Sequence, residues 1–147
     1  MIKKILVATD ASAASNRAVS MAAYMAACHE AELLILHVIR DMQLPTVLKK
    51  VPELEDFANK REDILRQVAE TILHEAEVRA KSGGANKIQT AIGSGDPASS
   101  VIGFAKRRNI DMIVVGTRGL GKVKELLMGS VSRKITNNAE ANCLIVR

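Results

Sequence analysis

The chain has 147 residues, 21 Lys and Arg against 16 Asp and Glu for a formal net charge of +5, and no aromatic side chains beyond Tyr24, Phe57 and Phe104. That length suits one domain, residues 1–147, which can bury about 70% of the surface its unfolded chain exposes, so no disulfide or metal staple is required. Spread basic residues without a stacking platform argue against nucleic-acid binding, and the apolar run after Lys3 and Lys4 is too short for a signal peptide or membrane span, so a soluble, cytoplasmic protein is expected.

Ile2 to Thr9 is a nearly continuous apolar run, the pattern of a strand covered on both faces in a parallel sheet, and Asp10 ends it. From Ala13 to Cys28, the residues Ala14, Ala18, Met21, Ala22 and Met25 recur at helical spacing behind Ser12, an available cap. Ala31 to Ile39 is the second strand. Arg40 to Lys50 has loop character yet carries Met42, Leu44, Val47 and Leu48. Val51 to Ala80 is a long helical region entered through Pro52, with Ile64, Leu65, Val68, Ile72, Leu73 and Ala76 on one side. Ser82-Gly83-Gly84 interrupts the chain before a third strand, Lys87 to Ile92. Asp96 and Pro97 then occupy cap and first-turn positions of a helix from Ala98 to Arg108.

Asp111 to Val115 is strand four, Val131 to Asn138 a last helix, and Ala141 to Val146 strand five. Strands alternating with helices imply right-handed βαβ crossovers and a parallel sheet with helices on both faces, an α/β doubly wound architecture. Cys28 and Cys143 read as small buried hydrophobes rather than a disulfide, metal pair or nucleophile. His37, alone in a buried strand, reads as a satisfied structural residue, and with His29 and His74 it makes no metal-ligand spacing.

Chemistry concentrates after strand four. Gly116-Thr117-Arg118-Gly119, followed by Gly129-Ser130 at the start of the last helix, reads as a phosphate cradle. Glycines leaving a buried strand let successive amides approach an anion, and the helix N-terminus adds further amides and the positive end of its dipole. Gly116 to Lys122 also meets the first seven positions of a Walker A loop. Val123 stands where a Ser or Thr must hold magnesium, and no later strand could carry a metal-binding carboxylate, so that reading is set aside.

The spacing of these glycines resembles the nucleotide-binding signature of the universal stress protein family. So do Ile5 to Asp10, Leu34 to Val38, Gly95-Asp96-Pro97 and Cys143 to Val146, taken in order over the whole chain. The resemblance implies a Rossmann-like domain with strand order 3-2-1-4-5, a ligand crevice at the carboxyl ends of strands one and four, and ATP as ligand, with or without Mg2+, ADP and AMP being alternatives. It implies that Gly116, Gly119, Gly129, Ser130 and Val131 hold the phosphates. Asp10 would meet the adenosine, with Ala8 and Thr9 on the same wall and Val38 and Val115 at the adenine. Arg118, Lys122 and Lys124 are the side chains placed to neutralise phosphate charge. Family members also pair through the last strand, here Cys143, Leu144, Ile145 and Val146, which implies a homodimer.

Two departures stand out. Ala11 replaces the glycine that many relatives carry after the aspartate, and Asn138 to Cys143 lacks the two prolines common before the last strand. The leading functional reading is a nucleotide-dependent stress regulator or sensor in which occupancy changes how the loop from Arg118 to Met128 meets an as yet unknown protein partner. A slow ATPase or autophosphorylating enzyme is a second reading, for which only Asp10 and Glu125 are nearby carboxylates. A non-nucleotide interaction subunit is a third.

Overall fold

The runs read as strands form one sheet, the inner three largely buried on both sides and the two at its edges only partly covered. In this computed structural model, which describes residues 1–41, 51–117 and 128–147, they are β1 (Lys4–Ala8), β2 (Glu32–Ile39), β3 (Ile88–Ser94), β4 (Met112–Gly116) and β5 (Asn142–Val146). The helices between them are α1 (Ala13–His29), α2 (Pro52–Ser82), α3 (Pro97–Arg108) and α4 (Ser130–Asn138). The sheet is parallel, in the expected order β3-β2-β1-β4-β5, with Leu6 of β1 between Leu34 of β2 and Ile113 of β4.

Because successive strand side chains point to opposite faces, the core divides in two. Ile5, Val7, Leu33, Ile35 and Val114 meet Ala18, Ala22, Leu73, Ala76 and Ala80 of α1 and α2. Leu6, Leu34, Leu36, Ile113 and Val115 meet Ala98, Val101 and Ala105 of α3 and Ile135 of α4. Ile5, Leu6, Ile35 and Ile113 are fully buried, and each such side chain contributes about 1.5–3 kcal/mol relative to exposure.

Two expectations from periodicity are corrected. Ile64 and Val68 were placed on the buried side of α2 but are 60% and 47% exposed, whereas the buried residues are Ala69, Leu73, Ala76 and Ala80. Close helix-on-sheet packing favours alanine, so bulk hydrophobicity misassigns the face. Cys28 is exposed, not buried. It lies two residues beyond Ala26, roughly 200° around the helix from that buried position. Cys143 is partly buried, and burial raises its thiol pKa. Element ends differ from the sequence reading by one or two residues, the usual fraying range.

The amino ends of β1 and β4 are joined by Asp111. Its Oδ2 accepts the Lys3 and Lys4 amides at 2.8 and 2.9 Å, and its own amide donates to the Lys4 carbonyl at 3.0 Å. Bonds from the Lys3 and then the Lys4 amide hold the Asp111 carboxyl below the usual carboxylate range. A carboxyl depressed in the folded state adds stability above its unfolded pKa of about 3.9 and loses it as pH falls through the lower folded value. Asp111→Ala is therefore expected to lower unfolding free energy by about 1–2 kcal/mol at pH 7. Urea titrations should show the gap to wild type closing progressively below about pH 4.

Candidate functional site

The connections after β1 and β4 leave toward opposite faces, α1 joining one core cluster and α4 the other. They open a crevice at the carboxyl ends of these neighbouring strands. The β1 side of the crevice is a tightly bonded loop. The Thr9 amide donates to the Leu36 carbonyl at 2.9 Å, and Nδ1 of His37 meets the Thr9 carbonyl at 2.8 Å. The Thr9 hydroxyl lies 3.2 Å from Oγ of Ser15, so this buried side chain is turned to α1 and, with its amide and carbonyl also bonded, Thr9 serves to fix the loop.

Asp10 accepts the Ser12 amide on Oδ1 at 3.0 Å, while Oδ2 has no partner among the described residues. One carboxylate thus forms an Asx-turn and still offers an acceptor to the crevice. Between them Ala11 sits at φ +64°, the left-handed region that favours glycine. The Asp10–Ser12 bond, together with Ser12 accepting the Ser15 amide at 3.2 Å at the head of α1, holds alanine there against its preference.

On the β4 side, Gly116 is required by packing. A Cβ at this position would lie 2.8 and 2.9 Å from the Ala14 carbonyl carbon and oxygen, inside the backbone of the first turn of α1. The Gly116 carbonyl accepts the buried Ser132 hydroxyl at 2.7 Å. Thr117 next donates its amide to the Val146 carbonyl at 2.9 Å and accepts the Gly129 amide at 2.7 Å. These bonds tie the start of α4 to the ends of β4 and β5.

The three helix N-termini near the crevice differ. Ser12 caps α1, and Asp96 caps α3 by accepting the Ser99 amide at 2.9 Å. No side chain caps α4, and the amides of Ser130, Val131 and Ser132 have no acceptor among the described residues. Since Thr117 already uses the Gly129 amide, these next three are the donors a phosphate would meet. The Ser99 hydroxyl, the Ser99 amide and Lys134 together hold the Asp96 carboxyl well below the usual carboxylate range.

Of the residues singled out in the sequence, Ala8, Val38, Val115 and Val131 belong to the α3–α4 cluster, Val115 buried in it and the other three partly buried against it. Gly116 ends β4 and Gly129 and Ser130 begin α4, the two joined through Thr117 and Ser132. Arg118 and Gly119, with Lys122 and Lys124, lie outside the described residues, as does nearly all of the Arg40 to Lys50 stretch. Lys134 was not anticipated: it pairs with Asp96 at 3.0 Å and bridges α4 to α3 beside the crevice. Its spacing of four residues from Ser130, placing both on one helix face, was the available signal. Among the described residues no group of three His, Cys, Asp or Glu side chains is placed to hold a metal ion.

The universal stress protein family profile matches residues 1–147. Universal stress protein YxiE of Bacillus subtilis is 34% identical, over all of both chains. Universal stress protein UspA from Lactobacillus plantarum superposes with a TM-score of 0.86 at 25% identity, covering 99% of this chain and 98% of its own. A universal stress protein solved in complex with cAMP gives a TM-score of 0.72 at 28% identity, covering 99% and 97%. This chain belongs to the universal stress protein family.

Two substitutions separate packing from binding. Gly116→Ala should cost about 2–3 kcal/mol through overlap with α1 and lower the ligand-free melting temperature by about 5–10 °C in calorimetry. Ala11→Gly, by relieving the left-handed alanine, should raise stability by about 0.5–1 kcal/mol and the same melting temperature by about 2–3 °C.

Proposed function

We propose that this protein binds ATP in the β1–β4 crevice as a homodimeric, cytoplasmic regulator, with residues 1–147 acting as one domain. The observation that carries the reading is the open start of α4. Three amides and the Ser130 hydroxyl at the start of α4 have no acceptor among the described residues, and no side chain caps this helix, whereas Ser12 and Asp96 each cap the starts of α1 and α3. Phosphates fit there by hydrogen bonding and by the helix dipole. Arg118 and Gly119 complete the cradle in this reading, Asp10 accepts from the ribose, and the wall of Ala8, Val38 and Val115 receives the adenine.

The cAMP complex of a relative supports an adenine nucleotide as the ligand class. Several basic residues between Gly116 and Gly129 favour a triphosphate over AMP or ADP, and Mg2+ accompanies it as the charge of the phosphates requires. Dimerisation proceeds through β5, an edge strand whose Cys143, Leu144, Ile145 and Val146 are only partly buried. Nucleotide occupancy then sets how residues 118–128 are presented to a protein partner.

Ser130→Pro tests the site with little disturbance of the fold. Gly129 has φ −60° and ψ 157°, the extended conformation favoured before proline, and proline is well tolerated in the first helical position. The substitution removes an amide donor and a hydroxyl together. Calorimetric titration is expected to show ATP binding weakened about tenfold or more, with the ligand-free melting temperature nearly unchanged. Equal ATP affinity in wild type and Ser130→Pro would count against the phosphate position. Parallel titrations with ADP, AMP and cAMP rank the ligands.

A further inference from the structure

The ladder between β1 and β2 stops one rung before its alternation requires. The Glu32 amide donates to the Lys3 carbonyl at 2.8 Å and the Leu36 carbonyl accepts the Thr9 amide at 2.9 Å, so the even-numbered residues of β2 turn their backbone groups toward β1. The odd-numbered residues turn theirs toward β3, the Leu33 amide donating to the Lys87 carbonyl at 2.8 Å and the Ile39 carbonyl accepting the Gly95 amide at 3.0 Å. By this alternation and the pairing of Ala8 with Leu36, the next rung would run from the Val38 amide to the Thr9 carbonyl, and the one after it from the Ala11 amide to the Val38 carbonyl. Neither forms among the described residues, and the Ala11 amide donates to the Thr9 hydroxyl oxygen at 3.3 Å instead. Val38 is thus a half-buried strand residue with both backbone groups unspent on the β1 side, where such groups are ordinarily paired.

A side chain takes the Thr9 carbonyl in place of that rung. Nδ1 of His37 lies 2.8 Å from it, and because a carbonyl only accepts, Nδ1 carries the proton and donates. His37 and Val38 are successive residues of β2, so their side chains leave opposite faces of the sheet. Val38 packs against the α3–α4 cluster, while the His37 imidazole closes over the end of β1 from the other face. The Thr9 carbonyl is therefore aimed by an imidazole rather than by the ladder.

We propose that His37 is a positioning residue for the nucleotide base: by drawing the Thr9 carbonyl to its imidazole it stops the β1–β2 ladder and keeps the Val38 amide and carbonyl open at the end of β2. The inference rests on the reading that the crevice takes ATP, and it names what prepares the adenine end of that site. A planar base with a ring nitrogen that accepts beside an amine that donates meets an open amide and carbonyl directly. Without the imidazole, the Val38 amide turns to the Thr9 carbonyl, and the same contact with a base then requires breaking a backbone hydrogen bond. His37 touches no ligand in this role and acts through Thr9 and Val38.

Amide hydrogen exchange, followed by NMR on the ligand-free full chain, tests the ladder directly. His37→Leu fills similar space without a donor, and the Val38 amide is expected to exchange about tenfold more slowly in it than in the wild type as the extra rung forms. His37→Asn, whose side-chain N–H can stand in for Nδ1, should return Val38 to the wild-type rate. Calorimetric titration of the same three proteins with ATP and with inorganic tripolyphosphate reads the consequence for binding. His37→Leu should weaken ATP about fivefold to tenfold while leaving tripolyphosphate unchanged, and His37→Asn should restore ATP. A role in stability alone would move the melting temperature and weaken both ligands together, or neither. Val38 exchange that is equal in the wild type and His37→Leu, or an equal loss of ATP and tripolyphosphate, would overturn the proposal. Slowed Val38 exchange in His37→Leu with no ATP heat in any of the three proteins would uphold the ladder-stopping role and overturn the ATP reading on which its purpose rests.

Discussion

The end of β4 is held from three directions, and the crevice exists because of that. Gly116 admits the backbone of Ala14 from the α1 side, and its carbonyl receives the Ser132 hydroxyl from α4. Thr117 bonds to Val146 on one side and to Gly129 on the other. Any side chain at Gly116 would push α1 away and with it Ser12, the residue that anchors the Asp10 turn. A two-residue segment therefore sets the separation between the β1 loop and the start of α4. The two halves of a ligand site made from different βα units are brought into register by packing, before any ligand contributes.

The same logic explains where the protein tolerates strain. Ala11 is held left-handed within a turn closed by Asp10 and Ser12, at the mouth of the crevice rather than in the core. The αL conformation costs roughly 1–2 kcal/mol for an L-residue with a Cβ. The surrounding bonds from Thr9, Asp10 and Ser15 over-determine the loop and make that cost bearable. Remaining left-handed residues, Glu30 and Asn109, end α1 and α3, where a left-handed C-cap is the ordinary way to stop a helix.

Much of the fold was legible because the inner strands are written as nearly unbroken apolar runs that two-sided burial accounts for. Strand order was not contained in that pattern and came from family resemblance. The helices were harder to orient. On α1 and α2 the sheet selects alanine for closeness, so larger apolar residues such as Ile64, Val68, Met21 and Tyr24 are left facing outward and mislead a count of hydrophobic positions. In the crevice, the glycines and Asp10 were readable from spacing, but which amides remain available was not. That depends on Thr117 engaging Gly129, a bond between residues well separated in sequence and invisible to composition.

A helix N-terminus becomes selective for an external anion only if its neighbours do not compete for it. Here α1 and α3 meet the crevice with their own internal acceptors, Ser12 and Asp96, and the latter is bonded further by Lys134. Each of those caps engages an amide of its own helix, and Asp96 itself repels negative charge from the head of α3. The start of α4 differs in having no side-chain cap at all. Backbone amides of this kind recognise phosphate without reading the rest of the molecule, so in the proposed site ligand identity would be decided elsewhere, by Asp10 with its open carboxylate oxygen and by the apolar residues at the ends of β1, β2 and β4.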